Sequence, residues 1–174
     1  MLIKKTKFKD LIILKSPIYE DQRGFFKEIF KKKFLNKELI FDCLSHSKKN
    51  TIRGLHFQRK NAQAKFITVV QGEILDVVVD LRKKSKTFGK HFSVKMKQNS
   101  NFSIFIPQGF AHGFACLSKT CTLYYRCTNY RHELSETTLK WNDPELNINW
   151  GINKPILSEK DQRGKSFEEI KKII

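Results

Sequence analysis

From Phe66 to Cys127 the chain is written in short runs whose apolar side chains recur at every second position, each run closing on turn residues. Phe66 to Val70 is apolar and β-branched, Gln71-Gly72-Glu73 is a turn, and Ile74 to Leu81 forms the next run. Phe92, Val94 and Met96 alternate with Ser93 and Lys95, and the chain turns again over Gln98 to Asn101. Phe102, Ile104 and Ile106 then alternate up to Pro107, and Cys121, Leu123, Tyr125 and Cys127 share one face of a later run. A period of two puts successive side chains on opposite faces, which only a strand can do. Strands at this spacing, divided by turns, close into an antiparallel sandwich or barrel. Helical spacing is confined to two places. Lys31 to Leu39 is expected to form a short helix. Ser166 to Ile174 is expected to form another, because Ser166 and Glu169 have capping-box spacing and Phe167, Ile170 and Ile174 fall on one face. Both would pack outside the β structure.

Residues 1–174 suit one domain of ordinary size, with neither a repeat nor a linker composition inside it. The 15 Phe, 4 Tyr and 2 Trp exclude a disordered chain. A domain of this length buries roughly 70% of its unfolded surface, enough for a core without disulfides or metal staples. Cys43, Cys116, Cys121 and Cys127 show no C-x-x-C spacing, so neither a zinc knuckle nor a thioredoxin-type site is indicated. No run of about 18 apolar residues exists to span a membrane, and Met1-Leu2-Ile3-Lys4-Lys5 turns charged too early for a secretory leader. A cytoplasmic protein with reduced thiols is expected. The formal net charge is +17, yet 27 of the 34 basic residues are Lys and they are spread along the chain. A nucleic-acid reader concentrates Arg and Lys on one element, so a solvated surface is expected instead. Its field would still attract an anionic ligand such as a nucleotide.

Arg53-Gly54-Leu55-His56-Phe57-Gln58 offers an imidazole in a strand-like segment. Strict alternation puts Arg53 and His56 on opposite faces, so a shared site needs a bulge or twist, which Gly54 would permit. Pro107-Gln108-Gly109-Phe110-Ala111-His112 is the second motif of the cupin barrels, where its His is often a metal ligand. The partner motif, His-x-His with a Glu, is replaced here by His56-Phe57-Gln58, so a transition-metal site lacks its ligands. Taken alone, Tyr125 could be a core tyrosine and Asp161 a loop or cap residue. Asp76 lies between Ile74 and Val78 on one face and must be either exposed or paired, since a lone buried charge is costly.

Taken in order, a set of segments resembles the dTDP-4-dehydrorhamnose 3,5-epimerase family over nearly the whole chain. They run from Asp21-Gln22-Arg23-Gly24-Phe25-Phe26-Lys27-Glu28 through Ser47 to Gln58, Asn61 to Lys65, Gly72 to Arg82 and Ser85 to Gly89. The set continues with Pro107 to Phe114, Tyr125 to Tyr130, Trp141-Asn142-Asp143-Pro144 and Leu157 to Asp161. The resemblance implies an all-β, cupin-like double-stranded β-helix (a jelly roll) with a few peripheral helices. It also implies a homodimer that uses no metal and no cofactor. The implied substrate is a nucleotide diphospho-4-keto-6-deoxy sugar, inverted at C3 and C5.

Carried over residue by residue, the resemblance makes His56 the base, Asp161 its partner, Tyr125 the acid and Lys65 the cation near the developing enolate. Arg53 and His112 match substrate-binding positions, and Arg23, Glu28, Glu136 and Lys160 match further ligand contacts. Two departures stand out. Arg131 occupies the place of a second Tyr that stacks on the nucleotide base, and Arg can stack there too. Phe41-Asp42-Cys43 replaces a Gln-x-Asn segment, so those amide contacts are missing. Alternatives are an epimerase for another nucleotide sugar or for one carbon alone, and a non-catalytic cupin binding module. Convergence of His56, Asp161, Tyr125 and Lys65 on one cavity separates the enzyme from the module.

Overall fold

The computed structural model describes residues 1–174. Thirteen strands and two short helices follow one another along the chain. The strands are β1 (Leu2–Lys5), β2 (Ile12–Lys15), β3 (Ile18–Asp21), β4 (Gly24–Lys27), β5 (Phe41–Lys48), β6 (Ile52–Gln58) and β7 (Lys65–Gln71). After them come β8 (Glu73–Asp80), β9 (His91–Lys97), β10 (Phe102–Ile106), β11 (Phe110–Cys116), β12 (Thr120–Cys127) and β13 (Glu136–Thr138). The helices are α1 (Glu159–Gln162) and α2 (Phe167–Ile173).

The strands form a six-stranded sheet, β1-β2-β10-β7-β12-β5, and a five-stranded sheet, β13-β6-β11-β8-β9. β3 and β4 make a separate two-stranded hairpin. Every strand pair within the sheets is antiparallel. This is the cupin jelly roll that the resemblance implies.

The alternating residues do what a period of two demands. Ile67, Val69, Ile104, Ile106 and Leu123 from one sheet meet Ile74, Val78, Phe110 and Phe114 from the other in the inter-sheet core. The intervening residues Val77, Val79, Ala111 and Ala115 face outward and are covered by Leu139, Trp150, Phe167 and Ile170. β8 is apolar on both faces because both are covered, which is why it reads as a continuous run.

The capping box at Ser166 is present: Ser166 Oγ accepts from Glu169 N–H and Glu169 Oε2 accepts from Ser166 N–H at 2.8 Å. Lys31 to Leu39 departs from expectation. Only a single 3-10 turn, Lys32–Phe34, forms there, with no side-chain cap and no acidic residue in the first turn. Three lysines at a helix N-terminus oppose its dipole. Burial wins instead, as Leu35 packs with Phe66 and Phe105 on the outer face of the six-stranded sheet and Phe30 and Phe34 lie against them. No helix is long and apolar enough to cross a membrane.

Candidate active site

β6 carries one residue more than its neighbour. His112 of β11 lies opposite His56, but Phe114 lies opposite Arg53, so three steps on β6 match two on β11. That bulge centres on Gly54, whose φ is 110°. A Cβ there would sit 2.6 Å from the His112 carbonyl oxygen, so only glycine fits. The extra residue turns Ile52 and Leu55 both to the outer core and Arg53 and His56 both to one cavity. The sequence argument that a shared site needs a bulge at Gly54 is met in this way.

His56 Nε2 lies 2.6 Å from Asp161 Oδ1. Asp161 comes from α1, where Ser158 caps the helix by accepting from Asp161 N–H and donates from its own hydroxyl to Asp161 Oδ2 at 2.9 Å. Burial pushes the Asp161 carboxyl up, but His56, the Ser158 hydroxyl and the Gly54 N–H outweigh it and hold the group below the ordinary carboxylate range. An ionised carboxylate only accepts, so Nε2 carries the imidazole proton. The lone pair is left on Nδ1, which makes no hydrogen bond within the protein.

The opposing sheet supplies the other wall. Tyr125 projects from β12, its hydroxyl 3.0 Å from Ser45 Oγ on β5. Burial pushes the phenol up, with the Ser45 hydrogen bond opposing, so the hydroxyl keeps its proton near neutral pH. Lys65 starts β7 on the same sheet, and burial pushes its ammonium below the ordinary lysine range while nearby acidic groups oppose. His56, Asp161, Tyr125, Lys65, Arg53 and His112 all line one cavity of about 370 Å³.

His112 Nε2 lies 2.8 Å from Asp76 Oδ2, and both residues are buried. This settles the alternatives for Asp76: it is interior and paired, with Oδ1 left without a partner. His112 lies inside β11 rather than at the end of β10, because Pro107 to Gly109 is the turn between them. Its ring meets Tyr125 edge-on at 6.3 Å. Arg53 is held by Ser47 Oγ at 2.9 Å and the His46 carbonyl at 3.0 Å. No group of three or more His, Cys, Asp or Glu side chains is placed to hold a metal ion.

A model of the family described as dTDP-4-dehydrorhamnose 3,5-epimerase matches residues 5–169. The chain belongs to the dTDP-4-dehydrorhamnose 3,5-epimerase family. It is 41% identical to the dTDP-4-dehydrorhamnose 3,5-epimerase of Salmonella typhimurium, with 92% of each chain covered. It is 39% identical to that of Methanothermobacter thermautotrophicus, with 95% of this chain and 94% of the other covered. The crystal structure of dTDP-6-deoxy-D-glucose-3,5-epimerase from Legionella pneumophila, in complex with dTDP-4-keto-L-rhamnose, superposes with a TM-score of 0.91 at 37% identity, covering 96% of this chain and 93% of that one. Membership makes the chain an isomerase.

Within the epimerase site, the residues matched to further ligand contacts divide. Glu136 and Lys160 line the cavity and pair at 2.8 Å. Arg131 lines it too, but its guanidinium is clamped by Glu136 at 2.8 Å and Glu133 at 3.0 Å. Phe41 gives the cavity an aromatic ring, and Tyr130 lies 5.9 Å from it. Arg23 and Glu28 are not brought to the cavity of their own chain. Arg23 sits on the tip of the β3–β4 hairpin, exposed and paired with Asp21 at 2.6 Å, in a depression with Tyr19, Phe25 and Phe26. Glu28 pairs with Lys31.

Three supporting residues escaped the sequence reading. Ser45 and Ser47 hold Tyr125 and Arg53 from the edge strand β5, which has little apolar alternation. Ser158 had a signal, a Ser three residues before a carboxylate, which is N-cap spacing.

Proposed function

We propose that the chain is a cofactor-independent epimerase that converts dTDP-4-dehydro-6-deoxy-D-glucose to dTDP-4-dehydro-L-rhamnose. One observation carries the reading: an imidazole on one sheet, paired with a carboxylate from α1, faces a protonated phenol on the other sheet across a single cavity. A non-catalytic binding module has no use for a base and an acid on opposing walls.

Hydrogens on C3 and C5 flank the C4 ketone, so their removal leaves a carbanion that delocalises onto the ketone oxygen as an enolate. His56 takes the proton on Nδ1, and Asp161 stabilises the imidazolium that results. Tyr125 returns a proton from the opposite face, which inverts the centre. Lys65, with His112 and Arg53 nearby, stabilises the developing oxyanion. A positioned base or acid supplies about 10²–10⁴-fold, roughly 3–5 kcal/mol of barrier. Removing one oxyanion donor costs about 3–4 kcal/mol. Several groups must therefore act together.

Incubation with the sugar nucleotide in D₂O, read by NMR at each carbon, tests these roles. His56→Ala is expected to abolish deuterium incorporation at C3 and C5. Tyr125→Phe is expected to retain exchange while losing inversion. Wild-type exchange in His56→Ala would exclude His56 as the base.

The protein is read as a homodimer in the cytoplasm. Arg23 and Glu28 match ligand contacts but lie away from their own cavity, so they serve the site of the second copy. The exposed Tyr19, Phe25 and Phe26 give the hairpin an apolar surface for that contact.

A further inference from the structure

The cavity holds a feature that proton transfer does not use. The inward row of β5 runs Phe41, Cys43, Ser45, Ser47, and that of β12 runs Cys121, Leu123, Tyr125, Cys127. Cys43 lies opposite Tyr125, and Cys127 opposite Phe41. Cys43 and Cys127 are thus diagonal neighbours on one face, and both line the cavity beside Lys65. Cys43 is exposed and Cys127 is buried. The other two cysteines, Cys116 and Cys121, are sealed in the inter-sheet core.

We propose that Cys43 is an oxidant-reactive thiol and Cys127 its resolving partner, so that a hydroperoxide converts the pair to a disulfide inside the active-site cavity. Three physical facts support this. The neighbouring Cys127 thiol and the Lys65 ammonium outweigh burial and the Asp42 charge and bring the Cys43 thiol down to about 7. About half of it is thiolate at neutral pH, against a few per cent for an ordinary thiol. Cys127 lies one pair along the same face and lines the same cavity beside Lys65, so it is the thiol placed to resolve Cys43. Finally, β5 is the edge strand of its sheet and pairs only with β12, so closing the sulfurs to about 2.05 Å disturbs no second neighbouring strand.

The chemistry balances. The Cys43 thiolate attacks one oxygen of the hydroperoxide; the S–O bond forms, the O–O bond breaks, and the alkoxide or hydroxide leaves and takes up a proton. The Cys127 thiol then gives its proton to the departing hydroxide of the sulfenic acid and attacks the Cys43 sulfur, releasing water. Each thiol is oxidised by one electron, and the peroxide is reduced by two. Because Cys43 lies opposite Tyr125 and two residues from Ser45, the bond distorts the Tyr125 wall. That consequence rests on the epimerase reading; the thiol chemistry does not.

The test uses the full chain. A greater thiolate fraction, offset by weaker intrinsic nucleophilicity, predicts that iodoacetamide at pH 7 labels Cys43 about threefold faster than an unstructured cysteine peptide. One equivalent of hydrogen peroxide is expected to lower the mass by about 2 Da and yield a linked Cys43–Cys127 peptide. Cys127→Ser is expected instead to hold a dimedone-trappable sulfenic acid on Cys43. Turnover should fall at least about tenfold on oxidation and return with dithiothreitol. Labelling of Cys43 no faster than the peptide, or a disulfide joining any other pair, overturns the inference. An untreated chain with no deuterium exchange but with the linked peptide sinks the epimerase reading and leaves the thiol pair standing.

Discussion

In the proposed mechanism the base function of His56 depends on which nitrogen carries the proton, and Asp161, 2.6 Å away, decides that. Asp161→Asn keeps the volume but removes the charge and can present an N–H toward Nε2, which favours the wrong tautomer. We expect kcat to fall about 10²–10⁴-fold. Deuterium exchange at C3 and C5 should slow in parallel, because both removals use one imidazole, while the affinity for dTDP stays within a factor of about two. Unequal slowing at the two carbons would mean that a second base acts at one of them. The pair His112–Asp76 is built from the same residue types yet is fully interior, and its environment suits binding rather than exchange with solvent.

At the scale of elements, the bulge in β6 decides the site's shape, and the turn after β8 bears on stability. Asp80 ends β8, completely buried, and accepts from Arg82, Ser85 and Thr87. Burial raises its carboxyl, but these donors outweigh it and bring it down to about 2 from the ordinary 3.8. A depressed carboxylate contributes stability that is present above its unfolded value and is lost as pH falls through the folded one. The window is therefore from about pH 4 down to about pH 2, and the contribution is about 2 kcal/mol. Urea unfolding of wild type is expected to lose this much across that window, whereas Asp80→Asn should start lower at pH 7 and lack the acid-dependent step. Elements also mark where sequence reading stops. β8, β9 and β10 are legible because their neighbours bury one or both faces regularly. β5 is not, because an edge strand presents Asp42, Leu44, His46 and Lys48 to solvent. The 31–39 segment fails as a helix because tertiary burial of Leu35 outweighs a weak local preference.

For the whole molecule, charge and assembly matter more than any one contact. A net charge of +17 surrounds a site for a diphosphate anion. Raising salt from about 20 to about 300 mM should lower kcat/KM at least about threefold while kcat changes less than twofold, since screening acts on capture rather than on chemistry. A salt-independent kcat/KM would show that the lysines are only a solvating surface. Assembly gives a second test. If Arg23 serves the second copy, mixing inactive Arg23→Ala with inactive His56→Ala restores activity toward about a quarter of wild type. Half of random dimers are mixed, and each regains one of two sites. No recovery after subunit exchange, verified by mass, would remove Arg23 from the site.

Period-two alternation, turn residues and the lack of any helical stretch of length settle an antiparallel β fold from the sequence alone, because side-chain direction along a strand is a local property. The motif segments likewise settle the family. The sequence also names the groups that the proposed mechanism uses, and it shows that Arg53 and His56 can share a cavity only if a bulge or twist breaks the alternation, which Gly54 permits. What it leaves open is which groups meet. His56 and Asp161 stand 105 residues apart, Ser45 and Tyr125 stand 80 apart, and Cys43 meets Cys127 only because β5 pairs with β12 in one register. Arg23 matches a ligand contact by sequence, yet lies outside its own cavity. Proximity across sheets depends on pairing order and register, which arise from packing the whole chain around two cores and are written in no short segment of it.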